Sequence, residues 1–178
     1  MDILKQLLGM FNKPKESPVK SLLKPSLEDI WKQYEEIATE YLKRDIFKGT
    51  KLTGADLVNA AKKTYKATGK LIPVDLVLAQ GQRETHLGSK LKSKNNFFNV
   101  GNFDDGRVVN YKTAQDGVQA YYDLIANDYL VDKTPKELIT NFVNKDGNRY
   151  ASDKEYEKYL KEQTSYIRRN FVKNKEKK

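Results

Sequence analysis

The chain has 178 residues, of which 38% are hydrophobic and 11% aromatic. This composition excludes a disordered protein and suffices for one domain with a core. The absence of cysteine excludes a disulfide framework, a thiol nucleophile and a cysteine-ligated metal, and the single histidine argues against a zinc site.

The net charge of +9 is concentrated at the two ends of the chain. Residues 1–25 carry +3 and residues 168–178 carry +5, which leaves +1 for residues 26–167. A nucleic-acid-binding domain needs a basic face on its folded part, so we do not expect nucleic acid as a partner. Basic ends suit other polyanions, such as anionic lipid or a cell wall.

Residues 1–25 are predicted to be an amphipathic segment followed by a linker rich in proline and lysine. Apolar residues lie at helical spacing before residue 12, but they lack the basic start of a signal peptide, and nowhere does the chain contain the ~20 apolar residues of a membrane span. We therefore expect a short helix that docks on a virion or membrane-surface partner.

Residues 26–171 are predicted to form one mainly α-helical domain, ahead of a basic tail at 172–178. The predicted helices begin where a Ser or Thr precedes an acidic residue by three positions, as in a capping box. These starts and approximate ends are Ser26 to Phe47, Thr53 to Thr68, Thr113 to Leu130, Thr134 to Asn144 and Ser152 to Phe171.

A further helix is predicted between Pro73 and Gly88. At about 100° per residue, Glu84 projects beside Val77 and Gln80 in its last turn. Apolar neighbours and the negative end of the helix dipole both raise the pKa of a carboxyl group, which a general acid requires. The alternative is an ordinary Glu that bends out to water.

Residues 95–112 break the helical pattern, because apolar residues alternate around Asp105-Gly106, a favoured hairpin turn. This pattern predicts one small β-hairpin lobe directly after the Glu84 helix. A two-lobed domain with a cleft follows, and Glu84 is expected at the junction of the lobes.

Three segments together resemble the lysozyme-like superfamily of peptidoglycan-cleaving enzymes. They are residues 79–89 (AQGQRETHLGS), residues 95–101 (NNFFNVG) and residues 148–153 (NRYASD). The last segment is similar to the tyrosine-bearing turn of bacterial and phage endo-β-N-acetylglucosaminidases, the mannosyl-glycoprotein endo-β-N-acetylglucosaminidase-like domains. The resemblance covers roughly residues 54–170. It implies a lysozyme-like fold, no metal or organic cofactor, and Glu84 as the catalytic acid.

The second catalytic group stays open at this stage. Asp104 and Asp105 are candidates for activating water, although turn chemistry alone also explains Asp105. The alternative is assistance by the N-acetyl group of the substrate, positioned by a group such as Tyr150. Candidate substrate-binding residues, each with an equally ordinary structural alternative, are Gln80, Asn95, Asn96, Phe98 and Tyr111.

The expected function is therefore hydrolysis of the β-1,4 glycosidic bond of peptidoglycan glycan strands by an N-acetylglucosaminidase-type enzyme. The rival functions are a lytic transglycosylase that uses the same Glu84, and a non-catalytic wall-binding or virion structural module. With no recognisable signal peptide, we expect a phage virion-associated or lysis protein, or else an enzyme exported by a non-classical route.

Overall fold

The computed structural model describes residues 25–102 and 106–172, and this part of the chain is mainly α-helical. The predicted docking helix and linker of residues 1–24, and the basic tail from residue 173, lie outside the described residues. Six α-helices are present in the described part: α1 Leu27–Leu42, α2 Gly54–Thr68, α3 Val74–Thr85, α4 Ala114–Leu124, α5 Pro135–Thr140 and α6 Tyr156–Ile167.

Four of the predicted capping boxes are confirmed, at Ser26, Thr53, Thr113 and Thr134. In each, the hydroxyl accepts a hydrogen bond from the backbone N–H three residues on, and the acidic side chain there accepts from the cap backbone. These starts depend on contacts within four residues, which explains why the sequence predicts them.

The predicted start of the last helix at Ser152 is wrong, because α6 begins at Tyr156. The carboxylate of Asp153 accepts a hydrogen bond from the backbone N–H of Glu155 and forms an ion pair with Arg83. The carbonyl of Asp153 also accepts hydrogen bonds from Arg149 Nη2 and from the backbone N–H of Tyr156, so Asp153 is tied on all sides into a turn ahead of the helix.

The predicted helix ends near Leu130 and Phe171 agree with the structure to within one residue, because π-helical turns, Ile125–Tyr129 and Arg168–Val172, continue α4 and α6. Other ends differ from the prediction: α1 ends at Leu42 and is followed by a 3₁₀ turn, Asp45–Phe47. Helix α5 ends at Thr140 rather than near Asn144, because Asn141 is extended and the next residues pair with the segment before α6 through an isolated β-bridge between Val143 and Arg149.

Helix α3 is the central element, and its first eight residues are all buried. It packs against α1 and α6, while α2 packs against α1 and α4. Asp75 in its first turn is fully buried and accepts a hydrogen bond of 2.5 Å from Arg168 Nε. This ion pair fastens the C-terminal π-helical turn to the start of the helix that carries Glu84.

The predicted β-hairpin at residues 95–112 is wrong, since the described residues on both sides of its turn contain no strand. Asn95 and Asn99 adopt φ values of 57° and 52°, which interrupt an extended backbone. Asparagine side chains make much of the contact between the segments on either side of the turn. Asn96 Nδ2 donates to the carbonyl of Val109, and Asn102 Oδ1 accepts a hydrogen bond from the backbone N–H of Val109.

Among the helices in the described ranges, none combines the length and apolar character that crossing a membrane requires.

Candidate active site

A cleft of about 930 Å³ opens at the C-terminal end of α3. One side is formed by the asparagine-rich loop after α3, and the other by the loop that precedes α6 and the end of α4. Its charged or hydrogen-bonding side chains include Glu84, Lys92, Asn99, Asn102, Tyr129, Arg149, Tyr150, Ser152 and Asp153. The cleft is large enough to hold several sugar rings.

Glu84 lies at the mouth of this cleft because α3 ends there abruptly. His86 and Leu87 both have a φ of 50°, in the left-handed region, so the backbone turns away one residue after Thr85. The buried hydroxyl of Thr85 then donates a hydrogen bond of 2.6 Å to the carbonyl of Phe97. The helix end and the asparagine-rich loop are thereby held together behind the carboxylate.

The two carboxylate oxygens of Glu84 have different partners. Tyr156 Oη, at the start of α6, donates a hydrogen bond of 3.0 Å to Oε1. Asn99 Nδ2 donates one of 3.2 Å to Oε2 and another of 3.1 Å to the Glu84 carbonyl. The side chain is therefore held at both oxygens and at the backbone, which fixes its direction.

Burial raises the pKa of the half-buried Glu84 carboxyl above its ordinary value, and this effect outweighs the others. The hydrogen bonds from Asn99 and Tyr156 oppose it, and so do the positive charges of Arg83 and Lys92. A carboxyl group that keeps its proton to a higher pH than usual is suited to protonating a leaving group.

Gln80 is fully buried one turn before Glu84 and does not line the cleft, so the prediction that it contacts substrate is corrected. Its Nε2 donates a hydrogen bond of 3.0 Å to Tyr156 Oη, and its Oε1 accepts one from the buried Tyr121 hydroxyl. Gln80 therefore connects α4 to the phenol that donates to Glu84.

Tyr150 lines the cleft as predicted, in the loop before α6. Its hydroxyl donates a hydrogen bond of 2.8 Å to the carbonyl of Phe98, and its ring is stacked on Tyr156 with the centroids 5.9 Å apart. Burial raises the pKa of this phenol well above its usual range, so it stays neutral. Its oxygen still has a lone pair to accept a hydrogen bond.

Asn95, Asn96 and Phe98 do not line the cleft, and their structural alternatives are favoured over substrate binding. The side-chain nitrogens of Asn95 and Asn96 donate to backbone carbonyls of the same loop region. Phe98 is fully buried and stacks on Tyr121 with a centroid separation of 3.9 Å. The neighbouring Phe97 is also fully buried.

Tyr111 is half-buried and lies in a different groove, of about 560 Å³, between α2 and α4. Tyr111 does not line the Glu84 cleft, although it is close enough to the cleft residue Tyr150 to help raise the pKa of that phenol. Asp104 and Asp105, the predicted candidates for a second catalytic carboxylate, lie outside the described residues.

Several residues that hold Glu84 or line the cleft were not predicted from the sequence. Tyr156 and Asn99 hold the Glu84 carboxylate, and Asp153 and Lys92 line the cleft. A weak indication existed for Tyr156 and Asp153, because both fall in or just after the segment that resembles the glucosaminidase turn. Asn99 lies within the resembling segment 95–101, so it had a similar weak indication, whereas Lys92 lies outside all three segments.

Four charged side chains line the described part of the cleft, and two of them form ion pairs with residues outside it. Asp153 pairs with Arg83, and Arg149 Nη2 lies 2.8 Å from Glu157 Oε2. Glu84 therefore differs from Asp153 in having neutral hydrogen-bond donors and, among the described residues, no direct ion pair.

Comparison of the chain with protein-family models, with curated proteins and with solved structures gave no match.

Proposed function

We propose that this protein is a peptidoglycan hydrolase whose Glu84 protonates the oxygen of a β-1,4 glycosidic bond, on a domain of lysozyme-like type. The observation that carries the proposal is a half-buried carboxyl group at the edge of a cleft of about 930 Å³, with a raised pKa and a fixed orientation. Glycosidic cleavage requires such an acid beside an extended substrate site.

The neutral partners of Glu84 suit this role better than an ion pair. Asn99 and Tyr156 orient the two oxygens, while burial keeps the pKa above the ordinary value. A direct salt bridge, like the one that Asp153 makes with Arg83, would hold the group ionised.

The second half of the mechanism is proposed to use the N-acetyl group of the substrate. The other carboxylate that lines the described part of the cleft, Asp153, is bound to Arg83, and the backbone N–H of Glu155 together with the Arg83 side chain lowers its pKa. The Tyr150 hydroxyl has a free lone pair and would accept the N–H of the acetamido group, turning its carbonyl toward the anomeric carbon. This route needs no second carboxylate.

A lytic transglycosylase remains the second candidate, since the same pairing of Asp153 suits a reaction that needs no base to activate water. Mass spectrometry of digested peptidoglycan separates the two. Reducing-end N-acetylglucosamine is expected for the proposed hydrolase, and 1,6-anhydromuramic ends would contradict it. A wild-type protein that binds peptidoglycan but releases no new glycan ends would instead favour a non-catalytic binding module.

A further inference from the structure

A chain of buried hydrogen bonds runs from α4 to the Glu84 carboxylate and has a defined direction. Tyr121 donates to Gln80 Oε1, Gln80 Nε2 donates to Tyr156 Oη at 3.0 Å, and Tyr156 donates to Glu84 Oε1 at 3.0 Å. Tyr121 and Gln80 are fully buried and Tyr156 is 1% exposed. We call these three residues the Tyr121–Gln80–Tyr156 relay.

The direction follows from the orientation of the Gln80 amide, which places Nε2 at Tyr156 and Oε1 at Tyr121. A primary amide nitrogen only donates and its oxygen only accepts, so Gln80 cannot present the same atom to both phenols. Because the Gln80 N–H occupies a lone pair of the Tyr156 oxygen, the Tyr156 proton points toward Glu84. A phenol whose oxygen accepts a hydrogen bond is also a better donor.

The two oxygens of Glu84 face different surroundings as a result. Oε1 is on the side of the buried Tyr156, whereas Oε2 is on the side of Asn99, which lines the cleft. A proton on Oε1 would compete with the Tyr156 proton already there. A proton on Oε2 displaces only the longer, 3.2 Å bond from Asn99.

We propose that the Tyr121–Gln80–Tyr156 relay confines the acid proton of Glu84 to Oε2, the oxygen on the cleft side, and that Gln80 is a positioning residue for this acid. In the forward step, the O–H bond at Oε2 breaks as its proton passes to the glycosidic oxygen. The Tyr156 and Asn99 donors then stabilise the carboxylate that remains. The catalytic part of this inference depends on the proposed function, whereas the effect on Glu84 itself does not.

The titratable and charged groups that face Glu84 come from five elements. They are Arg83 on its own helix, Lys92 in the following loop, Tyr121 on α4, Tyr150 in the loop before α6 and Tyr156 on α6. The pKa values of the three phenols are raised well above their usual range by burial, so these groups do not titrate with Glu84. A change in the titration of Glu84 on altering neutral Gln80 therefore reports the relay.

The test is a ¹³C NMR titration of the Glu84 carboxyl carbon, assigned by its absence in Glu84→Gln. In Gln80→Met, which keeps the length of the side chain but removes the amide, we expect the pKa of Glu84 to rise by about half a unit or more. Tyr156→Phe is expected to raise it further, because it removes the last donor. Gln119→Met is the matched control, since Gln119 is a buried α4 glutamine that donates to Thr64 and Asp123 and does not contact Glu84.

If the pKa of Glu84 is shifted in Tyr156→Phe but equals the wild-type value in Gln80→Met, the role of Gln80 is overturned. If Gln80→Met does not fold, Tyr121→Phe removes the far donor of the relay and is expected to shift the pKa in the same direction by less. With peptidoglycan as the substrate, Gln80→Met is expected to lower kcat about tenfold with little change in KM. The basic limb of its pH–rate profile is expected to move to higher pH. Full activity of Glu84→Gln would overturn the proposed function, while the NMR titration still decides the relay.

Discussion

Tyr156 Oη and Glu84 Oε1 lie 3.0 Å apart, although 72 positions separate the two residues in the chain. The contact joins the first turn of α6 to the last turn of α3 at the edge of the cleft. Its donor is a neutral phenol with a pKa well above its usual range. The Glu84 carboxylate is therefore stabilised less than it would be by a cation, and burial decides its titration.

The first prediction concerns the stability of Glu84→Gln as a function of pH. Because the pKa of Glu84 is higher in the folded state, ionising this group lowers the free energy of unfolding. The loss is absent below the unfolded pKa and is complete once the pH has risen through the folded pKa. We therefore expect the Tm of Glu84→Gln, relative to that of the wild type, to be higher at neutral pH than in acid. Thermal unfolding of both proteins across this range measures the difference. A relative Tm that falls as the pH rises would contradict a raised pKa.

The second prediction concerns Asn99→Gly, which keeps the positive φ of 52° but removes the amide. Loss of the donor to Oε2 weakens the ionised form of Glu84, so its pKa rises and the basic limb of the pH–rate profile moves upward. The carboxyl group also loses a constraint on its direction, and the maximal rate should fall about tenfold.

The control for this experiment is Asn110→Gly. Asn110 accepts a hydrogen bond from the backbone N–H of Lys94 in the same loop region and does not contact Glu84. Its pH–rate profile should keep the wild-type limb. If the basic limb of the pH–rate profile is unchanged in Asn99→Gly as well, Asn99 does not influence the pKa of Glu84.

The third prediction concerns the buried pair between Asp75 and Arg168, which joins α3 to the C-terminal π-helical turn. Asp75→Asn leaves the guanidinium without a counter-charge, and the free energy of unfolding should fall by about 3 kcal/mol. Since the Arg168 side chain is 32% exposed, the lower end of the usual range applies. Replacing both residues by leucine should restore much of this loss. Denaturant unfolding measures both, and a double variant no more stable than Asp75→Asn would contradict the reasoning.

Helix starts could be predicted from the sequence because capping boxes are local. Thr113 and Asp116 need only each other to begin α4, whatever the rest of the chain does. The start of α6 could not be predicted in this way, since Asp153 is recruited by Arg83 from a distant helix. Local hydrogen bonds are therefore a dependable guide only where no distant partner competes for the same side chain.

The hairpin prediction failed because alternation of apolar residues does not show how the backbone polar groups are satisfied. Asn96 and Asn102 make side-chain hydrogen bonds to residues 100 and 109 that take the place of part of a strand ladder. The packing is equally specific at Gly117, where an added Cβ would lie 1.8 Å from the carbonyl oxygen of Asn95. The sequence pattern indicates neither these side-chain hydrogen bonds nor the close approach of Gly117 to Asn95.

The position of Glu84 could be predicted from the sequence, whereas its partners could not. Helical spacing places the carboxyl group at the end of a buried helix, and the structure finds it there at the cleft. The same spacing places Gln80 beside Glu84, but it does not show whether the Gln80 amide forms hydrogen bonds with substrate or with other protein groups. Tyr121 and Tyr156 settle that question through packing between three helices.

The most direct measurement of the central claim is the initial rate at which wild-type protein and Glu84→Gln release new glycan ends from purified peptidoglycan. Glutamine preserves the size of the side chain and removes the acid proton. We expect the rate to fall by at least about 100-fold, with near-ultraviolet circular dichroism unchanged. A folded Glu84→Gln protein that releases glycan ends at the wild-type rate would contradict the role of Glu84 as the general acid.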